Sequence, residues 1–332
     1  MDQSIRERFS DDILREAMRR YDIAEGDIDA GDGFESFIYR FARDGERFIL
    51  RITHTLRRTP ELIHGEVDWI NYLAAGGATV IRAIESARGV LVEEIDDGAG
   101  GRFLATAFTF APGMSPGKAG WTPGLRETYG RLIGRMHALT KAYEPANPAW
   151  RRNAWPDDTV EPVKNQLAGL DPLALGRYLK LVEKVNALPR GREDYGLIHF
   201  DAHEGNFFID GETIILFDFD DCGYNWLAND LAMVIFYQVT NRADPEGTAA
   251  AFLPGFLRGY RAENELDPAW ATLIHDFMTM REIELYAVIL SSYGITPEQV
   301  AEIPHTWTRQ FMQGRRERIA AGRPYLDFDF NW

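Results

Sequence analysis

The chain has 332 residues, 45% hydrophobic, 26% charged and 12% aromatic, the composition of a globular protein rather than a disordered, collagen-like or membrane chain. Lysine plus arginine number 36 against 51 aspartate plus glutamate, and a net charge of −15 repels phosphate backbones and anionic lipid surfaces. Nucleic acid and membranes are therefore excluded as expected partners, and the length sets an expectation of roughly two domains, or one domain with two lobes.

A single cysteine, Cys222, cannot form an internal disulfide, and the first twenty residues are too charged for a signal peptide, so a cytoplasmic location is expected. The longest near-apolar run, residues 285–295, is broken by Ser291, Ser292 and Gly294 and is far shorter than the ~20 residues of a membrane span. The charge is uneven: residues 190–332 carry 23 acids and 11 bases, residues 1–189 carry 28 and 25. No lysine precedes Lys118, so an anion held by the first hundred residues must be held by arginine.

In chain order, Ser10 precedes Ile13, Leu14, Ala17, Met18 and Tyr21, the spacing of one apolar helix face behind a serine cap. Residues 35–54 alternate, Phe37/Tyr39/Phe41 and then Phe48/Leu50/Ile52, around an Asp44-Gly45 turn, which predicts a β-hairpin. Thr59-Pro60 starts a helix that contains Glu66 and ends at Gly76-Gly77. Strands are expected over 80–84, 90–95 and 103–110, the last ending at Ala111-Pro112-Gly113. Beyond Gly124 the periodicity is mainly helical, except over 196–221, where runs at 207–209 and 213–217 enclose Asp210-Gly211. This parses as an N-terminal β-rich lobe (1–110), a linker (111–124) and a helical C-terminal lobe (125–332) carrying the loop at 196–221.

That loop holds the most informative residues: His199-x-Asp201, Asn206 five positions after the aspartate, and Asp218 at the end of the next strand. A loop aspartate that accepts a hydroxyl proton, with asparagine and aspartate oxygens for a hard cation, suits phosphoryl transfer. Seven histidines, 26 aspartates and 11 asparagines yield only about 0.02 chance matches to H-x-D-x-x-x-x-N. The bland alternative makes Asp201, Asn206 and Asp218 ordinary turn residues.

From residue 35 through Asp230 the chain resembles the aminoglycoside phosphotransferase and choline kinase group, near its homoserine kinase-like branch. The resemblance implies an α+β, two-lobed protein-kinase-like fold, with a small antiparallel β N-lobe holding one helix and a larger helical C-lobe. It implies an ATP- and Mg-dependent kinase acting on a small-molecule hydroxyl, on an amino alcohol, aminoglycoside, choline-like or homoserine-like acceptor. Asp201 matches the catalytic base, His199 the histidine that props the loop, Asn206 and Asp218 the Mg²⁺ ligands, and Asp230 an aspartate that accepts N–H bonds from the loop. Arg51 stands where such kinases place a phosphate-binding lysine and Glu66 matches its ion-pair partner; arginine keeps its charge and can fork onto two oxygens. The turn from Gly31 through Gly33 and Phe34 to Ser36 lacks the full G-x-G-x-x-G pattern, but its N–H groups can still hold phosphate. Thr109 and Ala111 match the adenine-contacting segment between the lobes. The acidic second part favours a cationic acceptor.

Cys222 is expected to be a buried structural thiol, and Trp226, Trp307 and Trp332 core residues rather than substrate contacts. Asp220 and Asp221 are candidate metal or cap residues, and His203 and Glu204 either touch the acceptor or face solvent. Two rival readings follow: a degenerate kinase fold used as a binding module, and a non-haem iron oxygenase joining His199 and Asp201 to His275 or His305.

Overall fold

The computed structural model describes every residue except Met1, Phe34, Asp158, Leu266, Asn331 and Trp332, so the expectations on Phe34 and Trp332 lie outside the described residues. The chain forms two compact units: Met1–Met114 with Ala142–Arg152 and Phe208–Asp220, and Ser115–Lys141 with Asn153–Phe207 and Asp221–Trp332.

The first unit opens with α1 (Gln3–Arg8) and α2 (Asp11–Arg20), then β1 (Ile28–Ala30), β2 (Phe37–Arg43), β3 (Glu46–His54), α3 (Pro60–Ala75), β4 (Ala83–Ile84), β5 (Val92–Asp96) and β6 (Arg102–Thr109). The sheet is antiparallel in the order β1-β2-β3-β6-β4, with β5 also on β6. Asp44 and Gly45 take φ of 54° and 81°, the two left-handed positions of a tight hairpin turn that sets Arg43 opposite Glu46. In β3 the side-chain period of two divides the strand's roles. Phe48, Leu50 and Ile52 enter a core with Ala17, Met18 and Tyr21, while Arg51 points to the other face, onto α3. The Thr59 hydroxyl accepts from Leu62 N–H at 3.4 Å and Pro60 fills the first turn, as the sequence predicts. The strand expected over 80–84 is shorter: only Ala83 and Ile84 pair with β6, and Val80 makes one parallel bridge to Leu216.

The second unit carries α4 (Pro116–Ala119), α5 (Pro123–Thr140), α6 (Val160–Leu167), α7 (Pro172–Asn186) and β7 (Tyr195–Ile198). The hairpin of β8 (Phe207–Asp210) and β9 (Thr213–Leu216), turned at Gly211, belongs to the first unit from Phe208 on, where Ile209 bridges Met114. The chain then returns through β10 (Gly223–Trp226), α8 (Leu227–Val239), α9 (Pro245–Arg261), α10 (Ala271–Tyr293), α11 (Thr306–Met312) and α12 (Arg315–Ala320). β10 pairs antiparallel with β7 and leads directly into α8. This delivers the start of α8 beneath the loop that follows β7.

Helices α5 and α9 approach closely because glycine lines their contact. A Cβ on Gly130 would lie 1.8 Å from the Phe256 carbonyl oxygen, and one on Gly259 would lie 2.0 Å from that of Glu127. Gly130→Ala is therefore expected to force the helices apart and to lower stability by about 1–3 kcal/mol or more despite alanine's better helix propensity. Gly176→Ala on α7, where an added Cβ meets nothing within 4 Å, is expected to raise stability by about 0.5–1 kcal/mol. Urea unfolding of both variants checks the contrast.

Candidate active site

The loop after β7 is fixed from below by Asp230 in the first turn of α8. Its carboxylate accepts from His199 N–H at 3.1 Å and Phe200 N–H at 2.8 Å, as the family resemblance implies. His137 Nε2 lies 3.3 Å from the same carboxylate, and its Nδ1 lies 2.9 Å from the Tyr260 hydroxyl, which accepts from Asn264. The close α5–α9 contact thus brings His137 and Tyr260 together to hold the aspartate. Phe200 adopts φ of 71°, a left-handed conformation costing on the order of 1–3 kcal/mol for a non-glycine residue, and its own N–H is one of the two that Asp230 binds. His199 is fully buried and its Nδ1 accepts from Asp201 N–H at 3.3 Å.

Three side chains then surround the Asp201 carboxylate. Asn206 Nδ2 donates to the Asp201 carbonyl at 2.9 Å and to Oδ2 at 3.2 Å. His203 Nδ1 accepts from Gly205 N–H at 2.8 Å, which assigns the ring proton to Nε2, 3.2 Å from Asp201 Oδ2. Arg281, from α10, donates through Nη2 to Oδ1 at 2.6 Å. Burial opposes ionisation of this carboxylate, but the Arg281 charge and the His203 bond outweigh it and hold the group well below the usual range. The Asp201 carboxylate is thus anionic at any physiological pH. The Asn206 side-chain oxygen accepts no hydrogen bond among the described residues.

In the first unit, Arg51 forks onto Glu66 of α3 with both N···O distances at 2.7 Å, and the guanidinium lies 5.1 Å from the Phe108 ring centroid. The pair is nearly fully buried. Asp220 gathers further arginines: Arg58 Nη2 at 3.4 Å and Arg51 Nη1 at 3.9 Å, with Arg57 also bonded to its carboxylate and Arg152 donating to its carbonyl at 2.6 Å. Arg57 also pairs with Glu35, the residue before Ser36. Asp218 takes φ of 63°, a left-handed position at the exit of β9.

Gly33 admits no side chain, since a Cβ there would lie 2.1 Å from the Ser36 carbonyl oxygen, and Ser36 itself is buried. Thr109 N–H donates to the Arg82 carbonyl at 2.9 Å and its hydroxyl accepts from Arg82 N–H at 3.0 Å, so both groups fasten β6 to the segment before β4. The main chain of buried Ala111 makes no main-chain hydrogen bond among the described residues.

Cys222 is buried. Trp226 is a core residue, packed on Trp155 and Tyr195, but Trp307 is 37% exposed and stacks on Phe311. His203 and Glu204 are half-buried and bonded inside the unit: Glu204 accepts from Trp121 Nε1 at 2.8 Å and Gln238 Nε2 at 2.9 Å. The iron-oxygenase alternative loses its histidines. His305 caps α11 by accepting from Thr308 N–H, His275 packs on Phe330, and among the described residues no three His, Cys, Asp or Glu side chains gather around a metal position. Arg281, Tyr237, Arg57, Arg58 and Arg152 carry no signal in the sequence, whereas Arg51 is expected from the resemblance. The shortage of lysine points only generally at arginine.

Among the described residues no helix is long and apolar enough to cross a membrane. The profile of a family described as "Phosphotransferase enzyme family" matches residues 29–273. Amicoumacin kinase of Bacillus subtilis (strain 168) is 33% identical over 323 residues, 96% of this chain and 94% of that protein. A solved structure of amicoumacin kinase hAmiN, in complex with AMP-PNP, Ca²⁺ and Ami, superposes with a TM-score of 0.90 at 33% identity and covers 99% of both chains. A microcompartment-associated aminopropanol kinase has the same fold, with a TM-score of 0.72 at 21% identity over 94% of this chain and 98% of that one. These matches extend over both units and agree with the α+β architecture: the chain belongs to the phosphotransferase enzyme family.

Proposed function

We propose that the protein transfers the γ-phosphoryl group of ATP, in the presence of a divalent cation, to a hydroxyl of a small molecule. The observation that carries this reading is the loop itself, in which Asp201 is held anionic and hydrogen-bonded to Asn206, and Asp230 fixes the backbone that presents them. The acceptor hydroxyl donates to Asp201, its oxygen forms a bond to Pγ, the bond from Pγ to the bridging oxygen breaks, and the hydroxyl proton passes to the Asp201 carboxylate as ADP leaves. An acid of low pKa suffices, because in a loose transition state the proton moves late and the carboxylate's main work is to align the nucleophile.

The donor set suits a hard cation. Asn206 directs its NH₂ group at Asp201 and leaves its amide oxygen unengaged among the described residues, and Asp218, which the family resemblance pairs with it, is a carboxylate. When bound, the cation would neutralise charge on the phosphate oxygens. The relative solved with AMP-PNP and Ca²⁺ supports a nucleotide and a divalent ion here, and the hard oxygen donors favour Mg²⁺ as the working ion. Arg51, oriented by Glu66, supplies the phosphate-facing charge; Gly33 and Ser36 belong to the phosphate turn; and the main chain of Ala111, more than the already bonded Thr109, is the adenine contact.

Calorimetric titration with AMP-PNP tests the assignment. Arg51→Gln is expected to weaken nucleotide binding about tenfold or more, from loss of a charge-assisted contact. Asn206→Ala is expected to remove most of the Mg²⁺ dependence. Nucleotide affinity independent of both residues would overturn these roles.

A further inference from the structure

Arg281 does more than neutralise Asp201. Its Nη2 donates to Asp201 Oδ1 at 2.6 Å and to the Tyr237 hydroxyl at 2.6 Å, and its Nε donates to the same hydroxyl at 3.2 Å. Tyr237 itself is a fixed post. Burial pushes its hydroxyl up to about 12, so it stays protonated, and its ring packs against His203, centroid to centroid 4.4 Å. Glu284, one turn along α10, is buried and accepts from the Tyr178 hydroxyl at 3.0 Å. The guanidinium is therefore held in one place by groups that also hold the base. Its remaining nitrogen, Nη1, has no hydrogen-bond partner among the described residues and is not fully buried, the side chain being 18% exposed beside an Asp201 side chain that is 20% exposed.

A carboxylate and an unengaged N–H edge thus stand side by side, an acceptor next to a donor. On the reading of Asp201 given above, we propose that Arg281 determines acceptor specificity by binding an oxygen on the carbon next to the one bearing the reacting hydroxyl. The acceptor class is then a hydroxy amide, hydroxy acid or vicinal diol, whose hydroxyl donates to Asp201 while its neighbouring oxygen accepts from Arg281 Nη1. A 1,2-amino alcohol fits badly, because its ammonium brings no acceptor and meets a fixed positive charge. This revises the expectation drawn from the acidic composition: a cationic group is compatible with the acceptor only away from the reacting hydroxyl, as at Glu204, whose carboxylate lies among Trp121, Gln238 and Arg242.

The test uses the full chain with ATP and Mg²⁺ and three acceptors on one skeleton, lactamide, 1,2-propanediol and 1-amino-2-propanol, with kcat and KM measured for each. Wild type is expected to favour the first two over the amino alcohol by about tenfold or more in kcat/KM, as a site built around a hydrogen bond discriminates. Arg281→Gln should erase the ranking mainly through KM, and Arg281→Lys should keep part of it. Should Arg281→Gln fail to fold, Tyr237→Phe, which frees the guanidinium without removing its charge, is expected to raise KM for lactamide more than for the amino alcohol. Wild type preferring the amino alcohol, a ranking unchanged in these variants, or no use of lactamide or the diol would each overturn the inference. Turnover undiminished by Asp201→Asn would instead overturn the role of Asp201 on which it rests.

Discussion

Asp201→Asn is expected to lower kcat by about 10²–10⁴-fold while leaving AMP-PNP binding unchanged. The size follows from losing the proton acceptor and the hydroxyl's alignment together, about 3–5 kcal/mol of barrier. The nucleotide contacts proposed here involve other side chains, so affinity is a clean internal control. Stability should fall slightly. The asparagine carbonyl can still accept from Arg281, but its NH₂ then faces His203 Nε2 and Asn206 Nδ2, donor against donor, at a cost of about 1–3 kcal/mol. Steady-state rates and a thermal melt on the same preparation separate the two effects; a variant that loses nucleotide binding along with turnover would place Asp201 in a structural role instead.

Asp220→Asn should have the largest effect on stability. Arg51, Arg57 and Arg58 all meet this one carboxylate, while Glu66 also pairs with Arg51 and Glu35 with Arg57. Removing the charge leaves buried guanidinium groups facing one another, a loss of about 3–5 kcal/mol for an uncompensated buried charge. The pH dependence has a definite sign. Burial raises the Asp220 pKa, but the arginines, Arg51 first, outweigh it and hold the carboxyl below its unfolded value. Its contribution is therefore complete above the unfolded pKa of about 3.9 and disappears as the pH falls through the lower folded value. The gap in Tm between wild type and Asp220→Asn should be full at pH 6 and narrow steadily below pH 4. A gap that widens in acid would contradict the ion-pair account.

Local signals carried much of the fold. The Asp44-Gly45 turn, the Thr59-Pro60 helix start and the β8–β9 hairpin were legible because turn and cap chemistry act over a few residues. The pairing of β7 with β10 was not: each strand has four residues, and Gly223-Tyr224-Asn225-Trp226 lacks an alternating pattern. Helix α1 was missed because a six-residue helix with one buried side chain, Ile5, has no periodicity to read. The same division runs through the site. Asp201 and Asn206 are close in sequence and stood out, and the resemblance supplied Asp230. Arg281 lies 80 positions from Asp201 on a helix buried on several sides, where a guanidinium aimed at a loop cannot be told from one on a solvated face. Arg57 and Arg58 meet Asp220 from more than 160 positions away, a pairing no local sequence signal announces.

Phosphorus-31 NMR of the wild-type enzyme with ATP, Mg²⁺ and a hydroxyl-bearing acceptor tests the central claim most directly. The account predicts ADP and a new phosphate monoester signal appearing in equal amounts, dependent on the acceptor and about 100-fold or more slower to appear with Asp201→Asn. A phosphoramidate in place of the monoester, or ATP consumption indifferent to the acceptor, would contradict it.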